Sequence, residues 1–179
     1  VDALVEKAEK DIFDIMQGRN SKGYSSIKEI LVTTFDQIEE MFQNKNKISG
    51  LETGFVDLDA KISGLNKSDL LIVAARPAMG KSAFVLNIAT FVALHLKVPT
   101  MVFSLEMSKE QMVNRILCSE ALVDSNAVRT GELTDEDLSK LAETSGELSQ
   151  AQIFIDDTAG ISVMEIRAKC RKLKLEKNI

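Results

Sequence analysis

The segment Ala74 to Phe84 reads AARPAMGKSAF and sets Gly80, Lys81 and Ser82 in the order of the phosphate-loop pattern G-x-x-x-x-G-K-[ST]. Ala75 stands where that pattern has its first glycine. The chemistry such a stretch can do is polyphosphate binding. Successive backbone N–H groups wrap an anion, and the positive end of the following helix dipole adds to them. Gly80 allows the backbone to approach closely, Lys81 reaches β- and γ-phosphates, and the Ser82 hydroxyl holds Mg²⁺. The first glycine mainly eases the exit from a strand, so Ala75 serves if its φ stays negative. Pro77 stiffens the loop and lacks an N–H, which leaves the phosphate contacts to residues 79–83. The competing reading is a helix start with an accidental Gly-Lys-Ser. A buried strand before the loop and a helix after it favour the cradle.

A second group with chemical potential follows the strand TMVFS (100–104) in the run Ser104-Leu105-Glu106-Met107-Ser108. Ligands of parallel sheets sit beyond the carboxyl ends of the strands. Glu106, two residues past such an end, can orient and polarise an attacking water. It can equally be an acidic partner of the dipole of a helix over 108–121, and the residues alone leave both readings open. IFIDD (153–157) offers a further acidic pair, with Asp156 as a Mg²⁺ ligand and Asp157 as a base. Only three apolar residues follow Gln152 there, short for a central strand. Asp156, Asp157 and Thr158 are therefore read as turn and helix-entry residues.

These groups need a scaffold, and the hydrophobic pattern supplies one. LLIVA (70–74) is a continuous apolar run suited to a strand buried on both faces. Helical spacing over about 81–95, 108–121 and 134–145, strands at 100–104 and 153–155, and a last helix over about 161–176 complete an alternating order. Ser162 and Glu165 form a capping box at that last helix. Such alternation implies an α/β fold, a parallel sheet with helices on both faces. The preceding part is helical. Residues 1–17 carry helical spacing, 18–26 are a polar Gly/Ser-rich loop, and about 27–43 form an amphipathic helix opened by Ser26 and Glu29. Its stripe comprises Ile27, Ile30, Leu31, Phe35, Ile38, Met41 and Phe42. NKNKISGLETG follows as a linker.

Composition bounds the rest. With 179 residues and 45% hydrophobic residues, the chain is long enough for one domain with a real core. A net charge of −5 gives no sign of non-specific nucleic-acid binding, so any DNA contact needs a local patch or sequence outside these residues. Cys118, Cys170 and His95 lack the spacing of a zinc site or a disulfide framework, and an intracellular setting is the default expectation. No apolar run approaches membrane-spanning length and no signal peptide is recognisable. The opening VDALVEKAEK lacks an initiating Met and reads as cut from something longer. Arg167, Lys169, Arg171, Lys172, Lys174 and Lys177 are read as a solvated helix face rather than a phosphate-backbone contact. Met101, Met107 and Met112 are read as core filling.

The combination TGFVDLDAKISG (53–64), SDLLIVAARPAMGKSAF (68–84), VFSLEMS (102–108), RTGELT (129–134), IFIDDT (153–158) and IRAKCRKLK (166–174) resembles bacterial replicative DNA helicases of the DnaB family, across nearly the whole chain. The resemblance implies a RecA-like P-loop ATPase fold and a ring hexamer that unwinds duplex DNA with ATP and Mg²⁺. It assigns the phosphate loop to Ala75, Arg76, Pro77, Ala78, Met79, Gly80, Lys81 and Ser82, with Ala83 beside it, and the catalytic glutamate to Glu106. Lys81 joins Glu106 in the catalytic set, and Ser82 meets the metal through the nucleotide. The domains implied are the end of a helical N-terminal domain (1–17), a linker (18–50) whose helix at about 27–43 packs on a neighbouring subunit, and the first part of the ATPase domain (51–179). The family's next strand ends in the Mg²⁺-anchoring Asp and is expected after Ile179; the arginine finger and the single-stranded-DNA loops are expected later still. An interrupted sheet, open beside the phosphate loop, is the structural expectation. Primase and a helicase loader are the implied partners, and the cytoplasm the implied location. Two other readings stand beside the helicase: another phosphate-loop enzyme, recombinase-like or a small-molecule kinase, and a non-catalytic assembly or loader-binding segment. A kinase lid needs several arginines, and only Arg115 and Arg129 lie between the second and third strands.

Overall fold

The computed structural model describes residues 26–43 and 48–177, which belong to two units dividing after Lys47. The helix expected over 1–17 and most of the loop after it lie outside the described residues.

In the first unit, α1 spans Ile27–Gln43, as its periodicity predicts. No Gly or Pro interrupts it, and its two mid-helix threonines turn their hydroxyls back on the Ile30 carbonyl, Thr33 at 2.9 Å and Thr34 at 2.8 Å. The Ile30 N–H donates to the Ser26 carbonyl at 3.2 Å, closing the first turn; the Glu29 side chain of the expected capping box lies outside the described residues. Among the described side chains of the stripe, Ile27 is 76%, Phe35 61% and Ile38 52% exposed.

The second unit begins with a closed strap. Leu51 and Leu65 exchange backbone hydrogen bonds of 2.9 and 2.8 Å across an isolated antiparallel bridge. Between them lies a short helix, α2 (Val56–Ile62), ended by Ser63 in the left-handed region. Seven residues are too few for a legible period, and the sequence pattern does not announce this helix. Its anchor is Asp59, 3% exposed, whose carboxylate accepts the Thr53 hydroxyl at 2.8 Å and the Thr53 N–H at 3.0 Å.

The α/β part follows. α3 (Lys81–Leu94), β1 (Thr100–Phe103), α4 (Lys109–Ala121), α5 (Ser125–Thr130), α6 (Asp135–Leu148), β2 (Ile153–Asp156) and α7 (Val163–Lys177) follow in order. β1 and β2 run parallel, with Val102 opposite Ile155 and Met101 opposite Phe154. Alternation along a strand splits these side chains between two faces. Val102 and Ile155 pack against a core cluster of Leu86 of α3 with Met112 and Ile116 of α4, and Met107 and Leu148 of α6 pack against the same cluster. Phe154 and Asp156 belong to the other face and meet α7, through Lys177 Nζ 5.4 Å above the Phe154 ring and Lys169 on Asp156. Helices therefore cover both faces of the parallel ladder, as the alternating pattern predicts.

Capping residues set the helix boundaries. Ser108 and Gln111 bracket the start of α4, and Thr134 and Asp137 that of α6. Before α7, the Ser162 N–H and hydroxyl both donate to the Glu165 carboxylate at 2.7 Å, and these bonds hold that carboxyl below the usual range.

One expectation is corrected. LLIVA (70–74) is not a buried strand: no ladder is assigned to it, and Leu70 is 85% and Ile72 79% exposed. An apolar run becomes a central strand only when neighbouring strands take up its N–H and C=O groups. β1 and β2 pair with each other and supply no ladder to it among the described residues. Composition fixed the run's suitability for a strand but not its partner.

Candidate nucleotide site

The loop between 74 and α3 is built by two left-handed residues. Ala78 has φ 62° and Gly80 φ 84°, whereas Ala75 does not have a positive φ. The condition for Ala in place of the first glycine is thus met. A turn forms at Pro77–Ala78, and the Met79 N–H donates to the Arg76 carbonyl at 3.2 Å. Gly80 is the N-cap of α3 and accepts the Phe84 N–H at 2.9 Å. Lys81, Ser82 and Ala83 then occupy the first turn, where backbone N–H groups have no intrahelical partner. A Cβ placed on Gly80 meets nothing within 4 Å, so the space in front of this helix start is open. Open space, unpartnered N–H groups and a lysine at a helix N-terminus form a donor set that fits a polyphosphate.

Opposite stands the loop after β1. Ser104 Oγ donates to the Met107 carbonyl at 2.7 Å and accepts the Met107 N–H at 3.0 Å, folding residues 104–107 into a tight bend. Glu106 sits in that bend and not in the first turn of α4, where Glu110 is the acidic residue. Its Oε1 lies 3.7 Å from Lys81 Nζ. Both side chains are well exposed, so this pair contributes little to stability; its information is positional. Lys81, Ser82 and Glu106 line one cavity of about 420 Å³, together with Leu71, Val73 and Val102. Of the residues expected to bind nucleotide, Ala75 to Gly80 and Ala83 do not line it, and Ala83 lines a different cavity.

The acidic pair after β2 has other partners. Asp156 accepts Lys169 Nζ and, at 2.6 Å, the Thr158 hydroxyl; these bonds hold its carboxyl down at about 2. Asp157 Oδ2 accepts the Lys109 N–H, the first of α4, at 3.0 Å. Asp156 is not the turn residue the sequence predicts but the last residue of β2, opposite Phe103, and Asp157 caps a helix 48 residues away rather than the one that follows. No local signal announces that reach. The basic run on α7 is the solvated face its composition suggests, with Arg167, Arg171, Lys172, Lys174 and Lys177 exposed; Lys169, half-buried, is committed inward, to Asp156 and Thr158.

A second cavity of about 440 Å³, between α3 and α4, is lined by Asn87, Arg115, Cys118 and Asp124 among others. Burial, with Asp124 nearby, pushes the Cys118 thiol up, which makes it a poor nucleophile. Among the described residues no cluster of His, Cys, Asp and Glu is arranged to hold a metal ion, and no helix is long and apolar enough to cross a membrane.

The model of the DnaB-like helicase C-terminal domain matches residues 50–179. Over all 179 residues the chain is 48% identical to the replicative DNA helicase DnaC of Bacillus subtilis (strain 168) and 47% identical to the replicative DNA helicase DnaB of Geobacillus stearothermophilus. It spans 39% of the length of each. Among solved structures it resembles an ATPase domain, with a TM-score of 0.79 and 32% identity over 86% of this chain and 53% of that one. It also resembles a DnaB-like replicative helicase studied for its interactions with primase, with a TM-score of 0.82 and 29% identity over 96% of this chain and 39% of that one.

Proposed function

The chain belongs to the DnaB-like helicase C-terminal domain family, and from that premise we propose that it is part of an ATP-driven replicative DNA helicase, acting as a ring hexamer in the bacterial cytoplasm. The observation that carries the reading is the meeting of Lys81 and Glu106, 3.7 Å apart at the mouth of one cavity. Lys81 opens α3 and Glu106 lies between β1 and α4, so all of α3 and β1 separates them in the chain. In this reading the first-turn N–H groups of Lys81, Ser82 and Ala83 bind the triphosphate, and Lys81 neutralises its β- and γ-oxygens. Ser82 holds the Mg²⁺, which supplies charge neutralisation on the phosphates. Glu106 orients the attacking water and polarises it toward the γ-phosphorus.

That no ladder reaches 70–74 among the described residues supports a further strand beside it, contributed by sequence after residue 179 and bringing the Asp that completes the Mg²⁺ site. The domain limits follow the same reading, with 1–17 closing a helical domain, 18–50 as linker and 51–179 opening the ATPase. The exposed stripe of α1 supports docking on the next subunit of the ring. Contacts to single-stranded DNA fall to loops outside these residues, in keeping with the net charge of −5. Primase is the proposed partner at the fork, since one similar helicase was studied with it, and a loader is the other. A small-molecule kinase has no support in the family match.

The test is Glu106→Gln in the full-length ring. ATP binding is retained and hydrolysis falls by on the order of 100-fold or more, because an amide cannot polarise the water. Normal turnover by that variant sinks the assignment.

A further inference from the structure

The loop carrying Glu106 is pinned at its two ends by consecutive residues, Asp156 at the end of β2 and Asp157 just after it. At its entrance, the Ser104 N–H donates to the Asp156 carbonyl at 2.9 Å, continuing the parallel ladder. At its exit, the Lys109 N–H donates to the Asp157 carboxylate at 3.0 Å. Between these points the bend is held by Ser104 on Met107, by the Ser108–Gln111 capping box, by Met107 against the core and by the exposed pair of Glu106 with Lys81. Removing the exit bond frees the start of α4 to shift along the end of β2, and Glu106 lies three residues before Lys109.

We propose that Asp157 is a positioning residue for ATP hydrolysis: by holding the first N–H of α4, it fixes the bend from which Glu106 faces Lys81. The proposal rests on the reading of Glu106 as the hydrolytic base. Asp157 touches neither nucleotide nor water; its oxygen works as an acceptor, and its charge is not needed. Two independent substitutions remove the bond, one from each side. Asp157→Ala removes the acceptor. Lys109→Pro removes the donor, and the site tolerates it: Lys109 is the first residue of the helix, where proline is favoured, and Ser108 already has the extended backbone (φ −70°, ψ 158°) that a following proline requires.

The experiment measures kcat and KM for ATP, and Mg-ATP affinity, on the full-length ring. Asp157→Ala and Lys109→Pro are each expected to lower kcat about 10- to 100-fold, the loss that a misplacement of about 1 Å brings, with KM and affinity unchanged. Asp157→Asn keeps an acceptor oxygen, and Lys109→Ala keeps the N–H; both are expected within about twofold of the parent kcat. Hydrogen exchange across residues 105–110 is expected to quicken in the first two variants and not in the second two. If Asp157→Ala does not assemble, Lys109→Pro decides alone. Parent-like kcat in Lys109→Pro, or a loss in Asp157→Asn as deep as in Asp157→Ala, overturns the proposal; the second result makes the carboxylate itself the working group. Glu106→Gln separates the two levels. If it abolishes turnover while Lys109→Pro does not slow it, only the positioning role fails. If it turns over normally, the reading of Glu106 fails and takes the positioning role with it.

Discussion

Replacing Gly80 by Ala separates the two demands placed on that residue. The first is conformational. At φ 84° an L-residue pays for its Cβ, at about 1–2 kcal/mol. No steric term adds to this, because the new methyl meets nothing within 4 Å. Folding stability should therefore fall by about 1–2 kcal/mol, visible as a lower urea midpoint with an unchanged slope. The second demand appears only with nucleotide present. The methyl then stands in the open space before the first turn of α3, where the phosphates must come within hydrogen-bonding distance. One charge-assisted bond lost there is worth about 1.5–3 kcal/mol, a weakening of roughly 10- to 150-fold in Mg-ATP affinity. Calorimetric titration of the full-length protein reads the affinity, and denaturation without nucleotide reads the stability. Reduced stability with parent-like affinity refutes the reasoning, since the phosphates would then lie elsewhere than before Gly80.

Two other outcomes are expected. Phe35→Asp together with Ile38→Asp, at 61% and 52% exposed positions of α1, should dissociate the ring while leaving each subunit folded; intact hexamers by analytical ultracentrifugation would refute the docking role. Lys169→Met should lower stability in a pH-dependent way. The Asp156 carboxyl is held at about 2 by Lys169 and Thr158, below its unfolded value of about 3.9, so the contribution is fully present above about pH 4 and lost as pH falls toward about 2. The gap between parent and variant denaturation midpoints should close across that window, and an undiminished gap at pH 2 rules out the ion pair as its source.

Local signals carried most of what could be read without coordinates. α1 and α3 begin and end within a residue of their periodicity, and the capping residues of α7 make their bonds, because helix hydrogen bonds and caps join near neighbours in sequence. The start of α3 at Gly80, Lys81 and Ser82 was legible for the same reason, since that motif is contiguous. Two kinds of feature were not legible. α2 and α5, of seven and six residues, are too short to show a period. Pairings over long separations leave no trace in a single sequence. The bond from Asp157 to Lys109 is the case here, whereas the place of Glu106 near Lys81 follows from its position beyond a strand end. The unpaired state of 70–74 belongs here as well: its composition states what it can become but not which neighbour completes it.

That unpaired run has a consequence for how the protein is made. A strand proposed to follow residue 179 is translated more than 100 residues after Ala74. At bacterial synthesis rates of about 5–20 residues per second, roughly 5–20 s pass before it leaves the ribosome. Hydrophobic collapse takes microseconds. Throughout that interval, LLIVA offers an apolar edge to any other nascent chain, and polysomes bring identical copies close together. On that proposal the sheet beside 70–74 is completed late in synthesis, and the loop before Lys81 gains its fixed support only then. Substitutions that slow translation after residue 179 should therefore lower the yield of soluble protein without altering the stability of the molecules that finish folding.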